Sequence, residues 1–346
     1  MNKSFILGKV GVLLALCAMF FSSCENSVIF DGEGDCQVQY RIKFKYDKNM
    51  KFADAFGNEV TSVALYVFAE DGTLVYQGNE SGEALASGEY SMPVELEAGK
   101  YELLAWCGVG DGQSFSLPTT TVGVTTKEEV VCRMNTRIEN GVNIVDEDLR
   151  PLFHGMTELV VGSEPGIHYQ TLSLTKNTNV VRVVLQQLSG ADMNEELFSF
   201  EVQDYNSYMA HDNSLKGDDL VVYKPWDITV GNADVNAEVY KSNVSRAGTS
   251  VGVAVAEMTT GRLMADSRPV LVVRNLLEDK VVLSIPLIDY ALLVKGNYNK
   301  AMSDQEYLDR QDEYNMTFFL DESGNWMSSS IIINSWRVVL NNQSMK

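Results

Sequence analysis

The chain has 346 residues, of which 45% are apolar and only 7 are proline, so its composition suits folded domains rather than disorder. This length suits about two domains of roughly 150 residues each. The 47 acidic residues outnumber the 27 Lys and Arg residues, which gives a formal net charge of −20. A surface of that charge repels phosphate backbones, and no basic stripe offsets it, so the sequence predicts no nucleic-acid partner.

The N-terminus has the order of an export signal, predicted to end at residue 23. Lys3 and Lys9 form a basic start, and an apolar run follows at residues 10–21. This run is too short to span a membrane, which takes about 20 apolar residues. Ser22 and Ser23 then lead directly into Cys24. The arrangement resembles a bacterial lipobox with Phe21 in place of the usual leucine; the other interpretation is a plain secretory signal followed by an incidental cysteine.

On the lipobox interpretation, Cys24 is the lipidation site and becomes the first residue of the mature chain. Several acyl chains on one residue anchor a protein stably, whereas a single chain does not. Residues 24–35 are acidic and contain glycine, so they are predicted to form a lipidated tether. The prediction is therefore an outer-membrane protein, exposed at the cell surface, that contacts the membrane through its lipid alone.

The remaining cysteines allow several arrangements. The mature chain contains Cys24, Cys36, Cys107 and Cys132. If Cys24 carries lipid, three thiols remain, which permits one disulfide and one free thiol. No C-x-x-C spacing occurs, which argues against a zinc ribbon or a redox motif.

Strand patterns begin directly after the tether. Apolar and polar residues alternate strictly over residues 38–46, which is typical of a strand with one buried face. Asp71-Gly72 is a hairpin signal between predicted strands at 60–68 and 73–76. Further strands are predicted at residues 90–96, 101–107, 122–124 and 130–134, and residues 148–155 are predicted to be a proline-containing connection.

A second strand series follows, and it predicts a second domain. Its strands are predicted at residues 169–174, 180–185, 198–202, 220–223, 251–256, 269–274, 281–287, 316–320 and 331–340. A capping-box pattern at residues 303–306 predicts a short helix over 304–313. Many short strands with turns between them indicate an all-β fold of two tandem β-sandwiches, with domains at residues 36–168 and 169–346.

The sequence contains no catalytic constellation, no metal-binding motif and no cofactor fingerprint. The prediction is therefore that the protein is not an enzyme and has no small-molecule substrate. Ser250 lies in a G-x-S-x-G sequence, but a strand-like run follows it where a nucleophile elbow needs a helix. His154, His168 and His211 show no metal-ligand spacing. The strand aromatics are interpreted as core residues rather than as a carbohydrate platform, because aromatics favour half-buried strands; they are Tyr66, Phe68, Trp106, Trp226, Trp326 and Trp336.

The chain resembles the minor fimbrial anchor family, the FimB-type anchor lipoproteins of type V pili. The most specific stretch is Y-D-x-N-M-x-x-A-D-A-F at residues 46–56. Supporting stretches, in order, are V-A-L-Y-V-F-A-E-D-G, A-G-K-Y-E-L-L-A-W-C-G, L-R-P-L-F-H-G, L-T-K-N-T-N-V-V-R-V-V-L and N-S-W-R-V-V-L-N-N. The resemblance implies two transthyretin-like sandwiches and a lipid anchor. It also implies a disulfide pairing: Cys107 stands where the family prefers a small apolar residue, so Cys36–Cys132 is the favoured disulfide.

The resemblance also implies a function. An anchor subunit keeps its lipid and its first strand, attaches the pilus to the outer membrane and limits its length, with a fimbrial stalk subunit as partner. Residues 331–340 are predicted to contact that subunit by strand addition, through Ile331, Ile333, Trp336, Val338 and Leu340, unless the segment is an ordinary closing strand. The alternatives are a surface glycan-binding lipoprotein or adhesin, and a stalk or tip pilin matured by proteolysis, for which a cut at Arg41 is conceivable.

Overall fold

A computed structural model describes residues 38–217, 219–235, 249–296 and 299–339. In these ranges the chain is all-β, as the sequence predicts. The N-terminal strands are β1 (Val38–Lys45), β2 (Ser62–Ala69), β3 (Leu74–Ser81), β4 (Ser91–Val94), β5 (Gly99–Cys107), β6 (Phe115–Ser116), β7 (Cys132–Met134), β8 (Arg137–Glu139), β9 (Val142–Val145), β10 (Phe153–Val161), β11 (Gly166–Ser173) and β12 (Thr175–Lys176).

The later strands are β13 (Thr178–Gln187), β14 (Phe198–Asp204), β15 (Tyr208–Met209), β16 (Val221–Tyr223), β17 (Asp227–Val235), β18 (Thr249–Gly261), β19 (Val270–Asn275), β20 (Lys280–Pro286), β21 (Glu313–Leu320), β22 (Ser330–Ile333) and β23 (Trp336–Val339). The α-helices are short: α1 (Phe56–Glu59), α2 (Leu287–Leu292) and α3 (Asp304–Arg310). Short 3₁₀ helices cover Gly82–Ser87, Lys127–Glu129 and Glu195–Leu197.

Two sheets form the N-terminal sandwich. The outer sheet has the order β11-β1-β4, and the central sheet has the order β12-β10-β5-β2-β3. β1 lies between its two neighbours, parallel to β11 and antiparallel to β4. A core cluster with Ile42, Phe44, Leu65, Leu103 and Leu172 fills the space between the two sheets.

Three further sheets complete the fold. The long sheet has the order β17-β18-β13-β21-β22-β23, the facing sheet β20-β19-β14-β16-β9-β8, and the small sheet β15-β7-β6. A larger core cluster lies between the long and facing sheets and continues onto the second face of the central sheet, where it includes Tyr66, Phe68 and Trp106. The central sheet is thus buried on both faces, which explains why β2 is a continuous apolar run rather than an alternating one.

The predicted domain boundary at residues 168 and 169 falls inside β11, which pairs with β1 along its whole length. In addition, β8 and β9 precede this boundary in sequence but belong to the facing sheet, because β9 pairs with β16. The two-domain division remains a proposal, and these pairings favour a boundary after β12, with β7–β9 contributed to the second unit.

Several predicted elements differ from the structure. Residues 148–155 were expected to be a connection, yet β10 begins at Phe153 and forms a nine-residue strand of the central sheet beside β5. Its glycine, histidine and glutamate hide an alternation that ends with Leu159 and Val161 buried. Residues 122–124 form a turn rather than a strand, with Val124 71% exposed. β17 and α2 were not predicted, whereas α3 was, and its cap is formed as expected, since Ser303 Oγ accepts from Glu306 N at 3.0 Å.

Candidate functional site

The C-terminal segment predicted to contact a partner subunit is a β-hairpin rather than one strand. β22 and β23 pair antiparallel around Asn334 and Ser335, whose φ angles are 47° and 69°. Two consecutive residues with positive φ make the type I′ turn that suits two-residue hairpins. The expectation of one strand over 331–340 was wrong because Asn334 and Ser335 interrupt an otherwise apolar run.

This hairpin divides the five residues predicted to contact a partner. Ile331 and Ile333 are 0% exposed and belong to the larger core cluster, so their side chains face the protein interior. Trp336 is 63% exposed, and Val338 is half-buried against the core. Leu340 lies outside the described residues. The structure therefore leaves Trp336 and Val338 as the described members of the set that a partner can reach.

A cleft of about 590 Å³ runs beside β23, which is the last strand of the long sheet among the described residues. One wall consists of hairpin residues, of which Val339 is 62% exposed; they are Asn334, Trp336, Arg337, Val338 and Val339. The other wall is formed by Met50, Leu293, Val294, Lys295, Gly296, Asn299, Tyr307 and Gln311. Apolar side chains occur on both walls, with Lys295 and Arg337 among them, so the cleft suits an extended segment that carries apolar side chains.

The loop that carries the most specific resemblance lies close to this cleft and has a structural role. Asp54 Oδ1 accepts from Tyr46 N and from Phe56 N, each at 3.0 Å. Asn49 Nδ2 donates to Tyr46 O at 3.1 Å and to Ala53 O at 2.7 Å. These bonds close the loop between β1 and α1, so the side chains of the motif satisfy backbone groups that no strand pairs.

α3 joins this loop to the C-terminal part of the chain. Arg310 Nη1 donates to Asp47 O at 3.0 Å, and the guanidinium lies 4.7 Å from the centre of the Phe52 ring. Lys176 Nζ is 2.7 Å from Asp312 Oδ2 and 3.1 Å from Glu59 Oε2. The cleft beside β23 thus has a rigid support on the side of α3.

The first strand is integral to the N-terminal sandwich. Ile42 is 0% and Phe44 is 5% exposed. Arg41, the conceivable cleavage site, lies in the middle of the strand, where its Nε donates to Ser91 Oγ at 2.8 Å and its Nη2 to Ser91 O at 2.7 Å. A protease would have to unpair β1 from both neighbours to reach this bond.

Of the four cysteines predicted in the mature chain, the structure describes two, Cys107 and Cys132. Cys24 and Cys36 lie outside the described residues. Cys132 and Cys107 are both fully buried, and burial raises the pKa of each thiol well above its usual range. The Cys36–Cys132 pairing stays a prediction, and at Cys107 and Cys132 the structure favours protected thiols rather than reactive ones.

The residues considered for catalysis occupy structural positions. Ser250 lies in β18, on a strand rather than at a strand-to-helix turn. His154 and His211 are close in space, but the contact does not join their rings. It is a hydrogen bond of 2.6 Å between His154 Nε2 and the backbone carbonyl oxygen of His211. Burial lowers the pKa of His154 to about 4. Within the described residues no group of His, Cys, Asp and Glu side chains is arranged to hold a metal ion.

The aromatic residues interpreted as core are of two kinds. Tyr66, Phe68 and Trp106 are buried at 7% exposure or less, and Trp326 is half-buried against the larger core cluster, as expected. Trp226 and Trp336 are 37% and 63% exposed, so the core interpretation fails for them. Residue type alone does not separate the two groups, because an edge strand and a central strand can have the same alternation of apolar and polar residues.

Sequence reasoning missed one buried acid, Asp204 at the end of β14. Its side chain is 3% exposed, Oδ1 accepts from Tyr205 N at 2.8 Å, and Oδ2 has no hydrogen-bond partner. Burial raises the pKa of this carboxyl to about 6. Acid-rich segments are so common in this chain that no local pattern singles out Asp204.

Comparison with known proteins places these features in a family. A family model for the fimbrillin-A associated anchor proteins Mfa1 and Mfa2 matches residues 33–342. A search of curated proteins finds no match. No helix in the described ranges has the length and apolar character needed to cross a membrane.

Solved structures show the same fold. A candidate adhesin from Bacteroides thetaiotaomicron is 31% identical, with a TM-score of 0.78 over 89% of this chain and 100% of the other. A candidate polysaccharide-binding protein from the same organism is also 31% identical, with a TM-score of 0.75 and the same coverage. The fimbrial anchor protein Mfa2 from Porphyromonas gingivalis shares the fold at 16% identity, with a TM-score of 0.64 over 88% of this chain and 100% of the other.

These matches support a role as a fimbrial anchor or accessory protein at the cell surface, in contact with other fimbrial subunits. They also confirm the resemblance to fimbrial anchor subunits inferred from the sequence. The chain belongs to the family of fimbrillin-A associated anchor proteins.

Proposed function

We propose that this chain is the lipid-anchored subunit at the base of a type V-like pilus. Lipid on Cys24 holds the chain in the outer membrane, and residues 24–35 act as the tether. Contact through a β-strand with the adjacent stalk subunit attaches the pilus and ends its growth, which limits its length. The family match over residues 33–342 is the observation that carries this proposal.

The position of β1 supports an anchor rather than a proteolytically matured stalk or tip pilin. Ile42 and Phe44 of β1 are buried at 5% exposure or less. Burying two such side chains contributes about 3–6 kcal/mol, at 1.5–3 kcal/mol each. This is a large share of the 5–15 kcal/mol that typically stabilises a whole domain. A chain that lost β1 would need a replacement strand, whereas an anchor that keeps β1 is complete by itself.

The hairpin is the proposed contact with the stalk subunit. Its core residues, Ile331 and Ile333, hold β22 in place, while Trp336 and Val338 face the cleft beside β23. Strand addition takes affinity from main-chain hydrogen bonds and specificity from pockets for alternate side chains. The cleft supplies such a pocket next to the strand. Leu340, which directly follows β23, completes the proposed contact set.

Substitution of Cys24 tests the anchoring role. In cells that carry Cys24→Ala, we expect fimbriae that are shed into the medium and longer than normal. Glu33→Gln is a matched control, because it changes the tether and leaves the lipobox and all the cysteines intact. Fimbriae of normal length that remain attached in the Cys24→Ala strain would contradict the proposal.

Glycan binding is the second candidate function. It is favoured by the 31% identity to the candidate polysaccharide-binding protein, which this chain matches over 89% of its length. A glycan array probed with the full chain in detergent tests it directly. Selective binding to one class of glycan supports this function, and uniform signal across the array contradicts it.

A further inference from the structure

A second cleft, of about 420 Å³, opens over the small sheet, away from the hairpin. Its floor is one row of residues across three strands, because Ser116 pairs with Arg133 and Arg133 pairs with Tyr208. Lys216 extends this row, since its backbone N donates to Tyr208 O at 2.8 Å. Ser116, Arg133, Tyr208 and Lys216 all line the cleft.

Two cations of this row have no acidic partner. Arg133 is held over the Tyr208 ring, with Cζ 4.6 Å from the ring centre and Nη2 donating to Tyr208 Oη at 3.1 Å. Among the described residues, no carboxylate lies within 4.0 Å of the cationic nitrogens of Arg133 or Lys216. Both cations line the cleft without a direct ion pair, so they are available to contact an anionic group of a ligand.

The facing wall has the opposite charge. Glu128 and Glu129 line it, and both are exposed. Glu129 is fixed by a capping box, in which its Oε2 accepts from Thr126 N at 2.7 Å. The two walls do not neutralise each other, so a ligand that bridges them needs an acceptor group for the cations and donor groups for the carboxylates.

Apolar side chains lie between the two walls. Leu117, Pro118 and Val131 line the same cleft, and Tyr208 adds part of its ring. A simple phosphate or sulfate ion would use the cations but has no apolar face for the apolar residues and, once ionised, few donors for the glutamates. A sugar acid uses every part of the lining: its carboxylate meets Arg133 and Lys216, its hydroxyls donate to Glu128, and its C–H face covers the apolar residues. The volume also lies within the usual range of ligand pockets, about 300–1,000 Å³.

We propose that this cleft binds a carboxylate-bearing sugar residue, a hexuronate, within a polysaccharide. The site deepens the glycan-binding candidate and is independent of the anchor role, which concerns Cys24 and the hairpin. It also assigns the charge that the glycan must carry, which a purely aromatic platform would not select.

Calorimetric titration of the full chain in detergent with an oligogalacturonate tests the site. A neutral galactan oligomer of equal length and an acidic peptide serve as comparison ligands. We expect binding of the oligogalacturonate that weakens with added salt, with neither comparison ligand bound at similar concentration. Equal binding of the neutral oligomer would refute the role of the cations, and equal binding of the acidic peptide would refute the assignment to a sugar.

Variants locate the binding within the fold. Arg133→Gln and Lys216→Gln should each weaken binding at least about tenfold, since each removes one charge-assisted contact. Arg268→Gln, which changes an exposed arginine outside the cleft, should leave affinity unchanged, and thermal unfolding checks that all three variants fold. If the oligogalacturonate binds and both cleft variants retain full affinity, the site assignment is wrong although the glycan function stands. A chain with acylated Cys24 that binds no acidic glycan contradicts this proposal and leaves the anchor role intact.

Discussion

Asp204 makes the stability of this protein depend on pH in an unusual direction. The carboxyl is buried, with one oxygen bonded to Tyr205 N and the other without a partner. Its pKa is about 6 in the folded chain, because burial disfavours the charged form. In the unfolded chain the group returns to an ordinary pKa of about 3.9.

The sign follows from which state holds the proton more tightly. Below about pH 3 both states are protonated, and Asp204 makes no pH-dependent contribution. As pH rises from about 4 to about 6, the unfolded state ionises first, so the free energy of unfolding falls. Above pH 6 the cost reaches its full value, about 3 kcal/mol for a shift of about two pKa units at 1.36 kcal/mol each.

Asp204→Asn removes this cost, because the amide resembles the protonated carboxyl and keeps an oxygen for Tyr205 N. We expect the variant to be more stable than the parent by about 1–3 kcal/mol near pH 7 and about equal to it near pH 4. Urea unfolding at both pH values measures the difference as a shift in midpoint. Asp266→Asn, at an exposed acid, is the matched control and should shift neither midpoint.

A destabilised Asp204→Asn protein at neutral pH would refute this reasoning. It would mean that the ionised carboxylate is stabilised in the folded chain by a group or water beyond Tyr205 N. An equal stabilisation at both pH values would also refute it, because the effect would then come from packing rather than from ionisation.

Three further substitutions test other parts of the structure, each by urea unfolding. His154 has a folded pKa of about 4, so the folded chain favours its neutral form and the free energy of unfolding falls as pH drops from about 6.5. His154→Gln keeps a donor for the His211 carbonyl and should reduce this pH dependence. An unchanged pH dependence would contradict the assignment of the effect to His154. Asp54→Ala removes the acceptor of two backbone N–H groups and should cost about 2–4 kcal/mol, so a loss under about 0.5 would show that water replaces it. Ile331→Ala should cost about 2–5 kcal/mol, whereas Val339→Ala, on the exposed strand of the same hairpin, should cost under about 0.5; equal losses would contradict the orientation of the hairpin.

Much of the fold could be predicted from local pattern. β1 alternates with period two and ends within one residue of the prediction, and β13 extends two residues beyond its predicted run at each end. Asp71-Gly72 gives the hairpin between β2 and β3, with Gly72 at a φ of 82°. The S-x-x-E pattern gives the N-terminus of α3. In each case a short-range physical rule decides the conformation, so tertiary contacts only confirm it.

The parts that sequence could not predict depend on distant partners. β11 pairs with β1 across more than a hundred residues, so the expected boundary at residue 168 cuts a strand. β10 was missed because Pro151 and Gly155 suggest a loop, although pairing with β5 over nine positions overrides that signal. The second cleft, over the small sheet, is formed by three short strands and a 3₁₀ turn that are distant in sequence, and no sequence motif contains both Arg133 and Lys216.

Whether an individual side chain is buried or exposed could not be predicted for two residues that matter here, Trp336 in the hairpin and Asp204 in β14. Trp336 was interpreted as a core aromatic, and only its place on β23 shows that it is exposed. The same applies to Asp204, which looks like any other acid in a chain with 47 of them. Burial is a property of the whole fold, so composition and spacing leave it undetermined.

Mass spectrometry of the N-terminus of the native protein, taken from the outer membrane, tests the central claim most directly. The account predicts a mature chain that begins at Cys24 and carries acyl chains on that residue, with β1 intact behind the tether. A chain that begins beyond Arg41 and carries no lipid would contradict it, because such a product is a polymerising pilin that exchanges its first strand rather than an anchor that keeps it.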